Sequence, residues 1–103
     1  MNGTPLTALA QVIRSKNAGP TQLTVDLFFR DADGYALAER SAALSGAAVA
    51  ARYGFEAAQV QRHLLPQIHA IKYSMPRRIC AGDPGDGDVY GAQQHAPLLE
   101  VML

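Results

Sequence analysis

A chain of 103 residues with 49% hydrophobic and 17% charged residues has the size and apolar content for one domain around one core. Nine basic residues balance nine acidic ones, which excludes the large positive field that recruits nucleic acid or an anionic membrane; with no tryptophan and 7% aromatics, base stacking is disfavoured too. The single cysteine, Cys80, excludes an internal disulfide framework and an all-cysteine zinc site.

The opening residues show no basic run followed by an apolar one, and the longest apolar-leaning runs are broken by Gly, Arg and Ser. The expectation is a soluble, cytoplasmic protein without signal peptide or membrane span. In residues 6–14 two periods compete: Leu6, Leu9, Ala10 and Ile13 fit a helical face, whereas Leu6, Ala8, Ala10 and Val12 fit strand alternation. Residue physics alone slightly favours a helix over 7–12. The run stops at Ser15-Lys16-Asn17-Ala18-Gly19-Pro20, where Asn and Gly tolerate positive φ and proline disfavours helical angles before it.

Residues 22–30 form the clearest strand, with Leu23, Val25, Leu27 and Phe29 on one face and Thr24, Asp26, Phe28 and Arg30 on the other. Asp31 or Asp33 caps the helix that follows, which carries Tyr35, Leu37, Ala38, Ala42 and Leu44 and ends at Gly46. A second helix covers 47–53, with Gly54 as left-handed terminator and Phe55 as the hydrophobic contact that accompanies one. Residues 60–65 and 69–75 read as strands joined at Pro66-Gln67-Ile68, the second burying Ile71, Tyr73 and Met75 and wetting Lys72 and Ser74. Residues 98–103 are expected as a last strand, with Leu99, Val101 and Leu103 inward. No internal repeat or low-complexity linker interrupts the chain. The pattern predicts an α+β sandwich, one mostly antiparallel sheet with helices on one face.

Between these elements lies Asp83-Pro84-Gly85-Asp86-Gly87-Asp88-Val89-Tyr90-Gly91-Ala92-Gln93-Gln94-His95-Ala96-Pro97. Its Gly and Pro content rules out a regular helix or strand, and its length marks it as an ordered functional loop anchored by Val89, Tyr90 and Ala92. Asp83, Asp86 and Asp88 have the oxygen ligands a hard cation wants, but counted from Asp86 the twelfth position of a calcium loop is Pro97 rather than Glu, which excludes an EF-hand. Aspartates in Gly-Pro turns more often accept backbone amides, and no metal is assigned here. His95 is the candidate general acid/base because its ordinary pKa lies near neutrality; the competing reading has it fixing the loop through a backbone hydrogen bond. Gln93 and Gln94 supply amides that orient a ligand, and Tyr90 is a loop anchor or a ligand contact. His63 and His69 read as packing or surface residues.

Arg14, Ser15, Lys16 and Asn17 form the second candidate patch. Exposed amides flanked by two cations make a carboxylate or phosphate cradle; the competing reading is a salt bridge from Arg14 to a loop aspartate. Both bring the two stretches together. No Gly-rich P-loop is present, so a nucleoside triphosphate is not indicated. Cys80, near Arg77 and Arg78, reads as a buried apolar residue ahead of a nucleophile.

Two stretches carry a family resemblance. Residues 13–20 (Ile-Arg-Ser-Lys-Asn-Ala-Gly-Pro) and 82–99, from Gly82 through the Gln93-Gln94-His95 triplet to Leu99, resemble the signatures of the domain of unknown function 4387 family. The likeness extends to Tyr53-Gly54 and spans nearly the whole chain as a single domain over 1–103. More distantly, Leu9-Ala10 followed by Arg14-Ser15-Lys16-Asn17-Ala18-Gly19 is similar to the Arg-Ser-Gly-Asp-Lys-Gly segment opening the small ferredoxin-like domain of acyclic-terpene-utilisation protein A. The order differs and the aspartate is missing, so no ligand carries over. That resemblance implies a ferredoxin-like two-layer sandwich, a strand over 6–14 (adopted here over the helix) and a larger acyclic-terpene-utilisation-A-like partner chain.

Three functions follow as expectations. The first is a small subunit or accessory domain of a metabolic enzyme acting on a small acid-bearing substrate with a larger partner chain. The alternatives are a stand-alone lyase or hydratase using His95 with Asp86 or Asp88, and a non-catalytic homo-oligomeric binding module. Size favours the first and third, because a domain this small seldom encloses a pocket alone. Cofactor, substrate and reaction stay open.

Overall fold

A computed structural model describes residues 3–19, 21–76 and 98–103. The chain begins with one helical turn, α1 (Leu6–Leu9), followed by strand β1 (Ala10–Asn17). The expected strand over 6–14 is therefore corrected at its start, and the residues that pack on the core are Leu6, Leu9, Ala10 and Ile13, whereas Ala8 and Val12 of the expected strand face are exposed. Leu6 is fully buried and its amide donates to the Val101 carbonyl at 2.9 Å, which anchors the helical turn. Ala10 then pairs with Phe29, and one extra residue before Val12, which pairs with Phe28, makes a β-bulge.

The expected turn at Ser15 begins later as well. β1 stays paired through Asn17, opposite Leu23, before the chain reverses. Gly19 has φ +122°, a conformation a side chain would strain, and the Ala18 amide closes the hairpin onto the Gln22 carbonyl at 3.0 Å. Strand β2 (Gln22–Phe29) follows as the alternation predicts.

Asp31 caps helix α2 (Ala32–Arg40), its Oδ1 accepting the Gly34 amide at 2.8 Å. The helix does not run on to Gly46. Ser41 takes extended angles and its hydroxyl accepts the Ala43 amide at 3.3 Å, starting a 3-10 turn over Ala42–Leu44. Ser45 repeats the device on Ala48 at 3.1 Å, so Gly46 opens helix α3 (Gly46–Tyr53) instead of closing α2. Serine hydroxyls compete with the helical ladder for local amides, and two of them convert one long helix into two short ones. Gly54, at φ 78°, ends α3 as expected, and the Phe55 amide reaches the Ala50 carbonyl at 2.8 Å.

Strands β3 (Gln61–Leu65) and β4 (Ala70–Pro76) form the second hairpin around a 3-10 turn at Pro66–Ile68. His69 adopts left-handed angles (φ 51°) there, and its carbonyl accepts the Phe29 amide at 2.8 Å. The sheet order is β1-β2-β4-β3 with every neighbouring pair antiparallel. The result is a ferredoxin-like two-layer α+β sandwich. Leu23, Val25, Leu27, Phe29, Ile71, Tyr73 and Met75 face Tyr35, Ala38, Leu44, Val49 and Ala50 in one buried cluster.

The expected last strand is also corrected. Leu98 and Val101 are fully buried while Leu99 is 44% exposed, a spacing of three that belongs to a turn, and the Val101 amide donates to the Leu98 carbonyl at 3.2 Å. Among the described residues an isolated bridge, Pro5 with Met102, is what remains of sheet pairing there. No helix among the described residues is long and apolar enough to cross a membrane.

Tyr73 is fully buried beneath the helices, and its hydroxyl donates to the Leu44 carbonyl at 2.5 Å. Burial raises its pKa above the ordinary 10.0, partly offset by the hydrogen bond and charge of Arg62; burial likewise raises Tyr53. The folded tyrosines therefore keep protons that the unfolded chain loses, and above that ordinary value the unfolded state binds fewer protons. Urea midpoints should be insensitive to these groups below about pH 9 and fall progressively from about pH 10 upward. Tyr73→Phe should flatten that fall and, by orphaning the Leu44 carbonyl, cost about 1–2 kcal/mol at neutral pH. An unchanged alkaline slope in Tyr53→Phe/Tyr73→Phe would refute the assignment.

Candidate functional site

One face of the sheet carries the helices; the other carries a line of polar side chains set by register. Arg14 on β1 stands opposite Asp26 on β2, Asp26 opposite Lys72 on β4, and Lys72 opposite His63 on β3. Directly opposed residues share a face, so the four form one row across all four strands. The next row, Lys16, Thr24, Ser74 and Gln61, lies beside it.

Arg14 and Asp26 form the ion pair of this row. Nε of Arg14 donates to Oδ2 of Asp26 at 3.3 Å, and the guanidinium carbon lies 4.8 Å from the centre of the Phe28 ring. The pair is asymmetric: the Arg14 side chain is 54% exposed and that of Asp26 only 4%. A carboxylate below and an aromatic ring beside it hold the guanidinium in one plane, and because the contact uses Nε, the terminal edge of the fork lies outside this pair. Asp26 Oδ1 is buried and has no hydrogen-bond partner among the described residues. Thr24, also buried, donates through Oγ1 to the Lys16 carbonyl at 3.4 Å, tying the second row to the edge strand.

The cradle expected at Arg14, Ser15, Lys16 and Asn17 is divided by the pleat. These residues lie in a paired strand, so Arg14 and Lys16 share the face away from the described helices, while Ser15 and Asn17, opposite Val25 and Leu23, turn to the helical side. Arg14 takes its carboxylate from Asp26 on the neighbouring strand. The remaining expected site residues, Asp86, Asp88, Tyr90, Gln93, Gln94 and His95, lie outside the described residues, as do Asp83 and Cys80. So does the expected meeting of the two signature stretches. Among the described residues no group of three or more His, Cys, Asp or Glu is arranged to hold a metal. Asp26, Lys72 and His63 were not expected as site residues. Alternation placed Asp26 and Lys72 on outward faces, but only pairing register aligns them with Arg14.

Removing Arg14 leaves a buried carboxylate without its cation. Arg14→Ala is expected to lower stability by about 1–2 kcal/mol, between the effects of exposed and buried pairs. Arg14→Lys should recover only part, because an ammonium lacks the planar fork. Urea denaturation of the two variants checks this, and equal stability of Arg14→Ala and the native chain would show that Asp26 needs no partner.

No curated protein and no solved structure matches the chain. The family model described as Domain of unknown function (DUF4387) matches residues 6–102. That span takes in both hairpins, the helical layer and the Arg14–Asp26 row, and the chain belongs to this family.

Proposed function

We propose that the protein is a small subunit or accessory domain of a metabolic enzyme acting on a small acid-bearing substrate, working with a larger partner chain. The observation that carries this reading is the held guanidinium of Arg14, bonded through Nε to Asp26 and set against Phe28 on the face away from the helices. Planar fork-to-fork recognition of a carboxylate needs an arginine whose plane is already fixed, because the ordering cost is then met before the ligand arrives. Asp26 is the positioning residue and Arg14 the contact to the acid, with Lys16 adding positive charge from the next row.

The place of Arg14 in the fold supports a partner in this reading. The described helices bury their apolar side chains in the core on the other side of the sheet, and ligand sites are concave, so in this reading the face that carries Arg14 is one side of a site whose remaining walls come from elsewhere. A larger chain laid over this face supplies those walls. The likeness to the small domain of acyclic-terpene-utilisation protein A supports a partner of that kind. His95 and the aspartates at 86 and 88 stay in this reading as the candidate acid/base groups of the composite site.

A pull-down of the tagged protein from its native cell extract tests the proposal. The native form should recover one large chain, and a form carrying Arg14→Ala and His95→Ala should recover much less of it. Recovery of nothing but further copies of itself would overturn the accessory-subunit reading.

A further inference from the structure

We infer that the ligand of this face is a dianion with two separated anionic groups, a small dicarboxylate, held at one end by Arg14 and at the other by Lys72 with His63. The inference rests on the acid-substrate reading above and specifies it. The chain as a whole balances nine basic against nine acidic residues, but the two polar rows that the described residues form do not balance. They contain Arg14, Lys16 and Lys72 against Asp26 alone, leaving two positive charges in excess. Asp26 already pairs with Arg14, and Lys72, although directly opposite Asp26, forms no ion pair with it. His63 stands exposed beside Lys72 on the edge strand and adds a ring N–H donor at that end.

The position of Asp26 decides between one compact dianion and two separate carboxylates. Arg14 and Lys72 are two strands apart, about 10 Å between backbones, with the Asp26 carboxylate between them. A compact anion midway would sit over that negative charge, and its repulsion cancels much of what the flanking cations supply. Two carboxylates joined by a short chain avoid it, each over one cation with the neutral linker crossing Asp26. A bare monoacid uses Arg14 only.

The experiment is an NMR titration of the full chain at constant ionic strength, using succinate, butyrate and inorganic phosphate as probes. Succinate should bind about fivefold tighter than butyrate, the gain from one more partly exposed ion pair, and tighter than phosphate. Lys72→Gln should remove the preference for succinate while leaving butyrate unchanged, and Lys72→Arg should keep it. Arg40→Gln, a loss of the same charge from the helical layer, should change neither. Equal affinity for succinate and butyrate, tightest binding of phosphate, or a preference that survives Lys72→Gln overturns the dianion. If Arg14→Gln still weakens both carboxylates in that event, the acid-binding reading stands without it. If none of the probes shifts the resonances of Arg14, Asp26 or Lys72, both readings fall together.

Discussion

The antiparallel pairing of β2 with β4 is the constraint on which the molecule depends. β2 is buried over five consecutive residues, Leu23 to Leu27, so both its faces have assigned environments. Its pairing sets Val25 against Tyr73 and Leu27 against Ile71 on the helical side, and Asp26 against Lys72 on the other. Side-chain direction has a period of two, so a slip by one residue would drive Asp26 into the apolar layer and expose Val25. The same register, carried outward, sets Arg14 and His63 at the two ends of the polar row. Core and candidate site are thus consequences of one alignment.

The helical layer is shaped to that sheet by small local devices. Asp31, Ser41 and Ser45 each bind an amide two or three residues ahead, which breaks the 32–53 segment into short pieces. A single straight helix of that length would overrun the strands; the stepped path lets Leu44, Val49 and Ala50 all reach the core. Tyr73 links the layers by donating to the Leu44 carbonyl, a group freed where the 3-10 turn ends. The polar atom at the centre of the core therefore satisfies an orphan that the broken helix creates.

On the opposite face the same register sets Arg14 directly against Asp26. Asp26 gives Arg14 a carboxylate, and Phe28, opposite Val12 on the same face, gives it a ring. The contact with Asp26 uses Nε, so the terminal edge of the planar fork lies outside this pair.

Local chemistry determined the elements that have one strong signal. The alternation of Leu23, Val25, Leu27 and Phe29, the Asp31 cap and the Gly54 terminator each appear where their residue types require them. Where two signals overlapped, packing chose. Residues 6–9 coil because Leu6 is buried against the chain's end, and 98–101 turn because Leu98 and Val101 both reach the core. The serines at 41 and 45 were legible as polar residues, but their role as caps depended on where the sheet needs the helices to lie. For the site, residue types marked Arg14 and Lys16 as candidate cations of an anion cradle, with a salt bridge of Arg14 as the competing reading, and the same-face alternation of β2 and β4 was readable. Which residues stand beside them was not. Arg14, Asp26, Lys72 and His63 are distant in sequence, and hydrogen-bond register between strands, a property of the assembled sheet, puts them in one line.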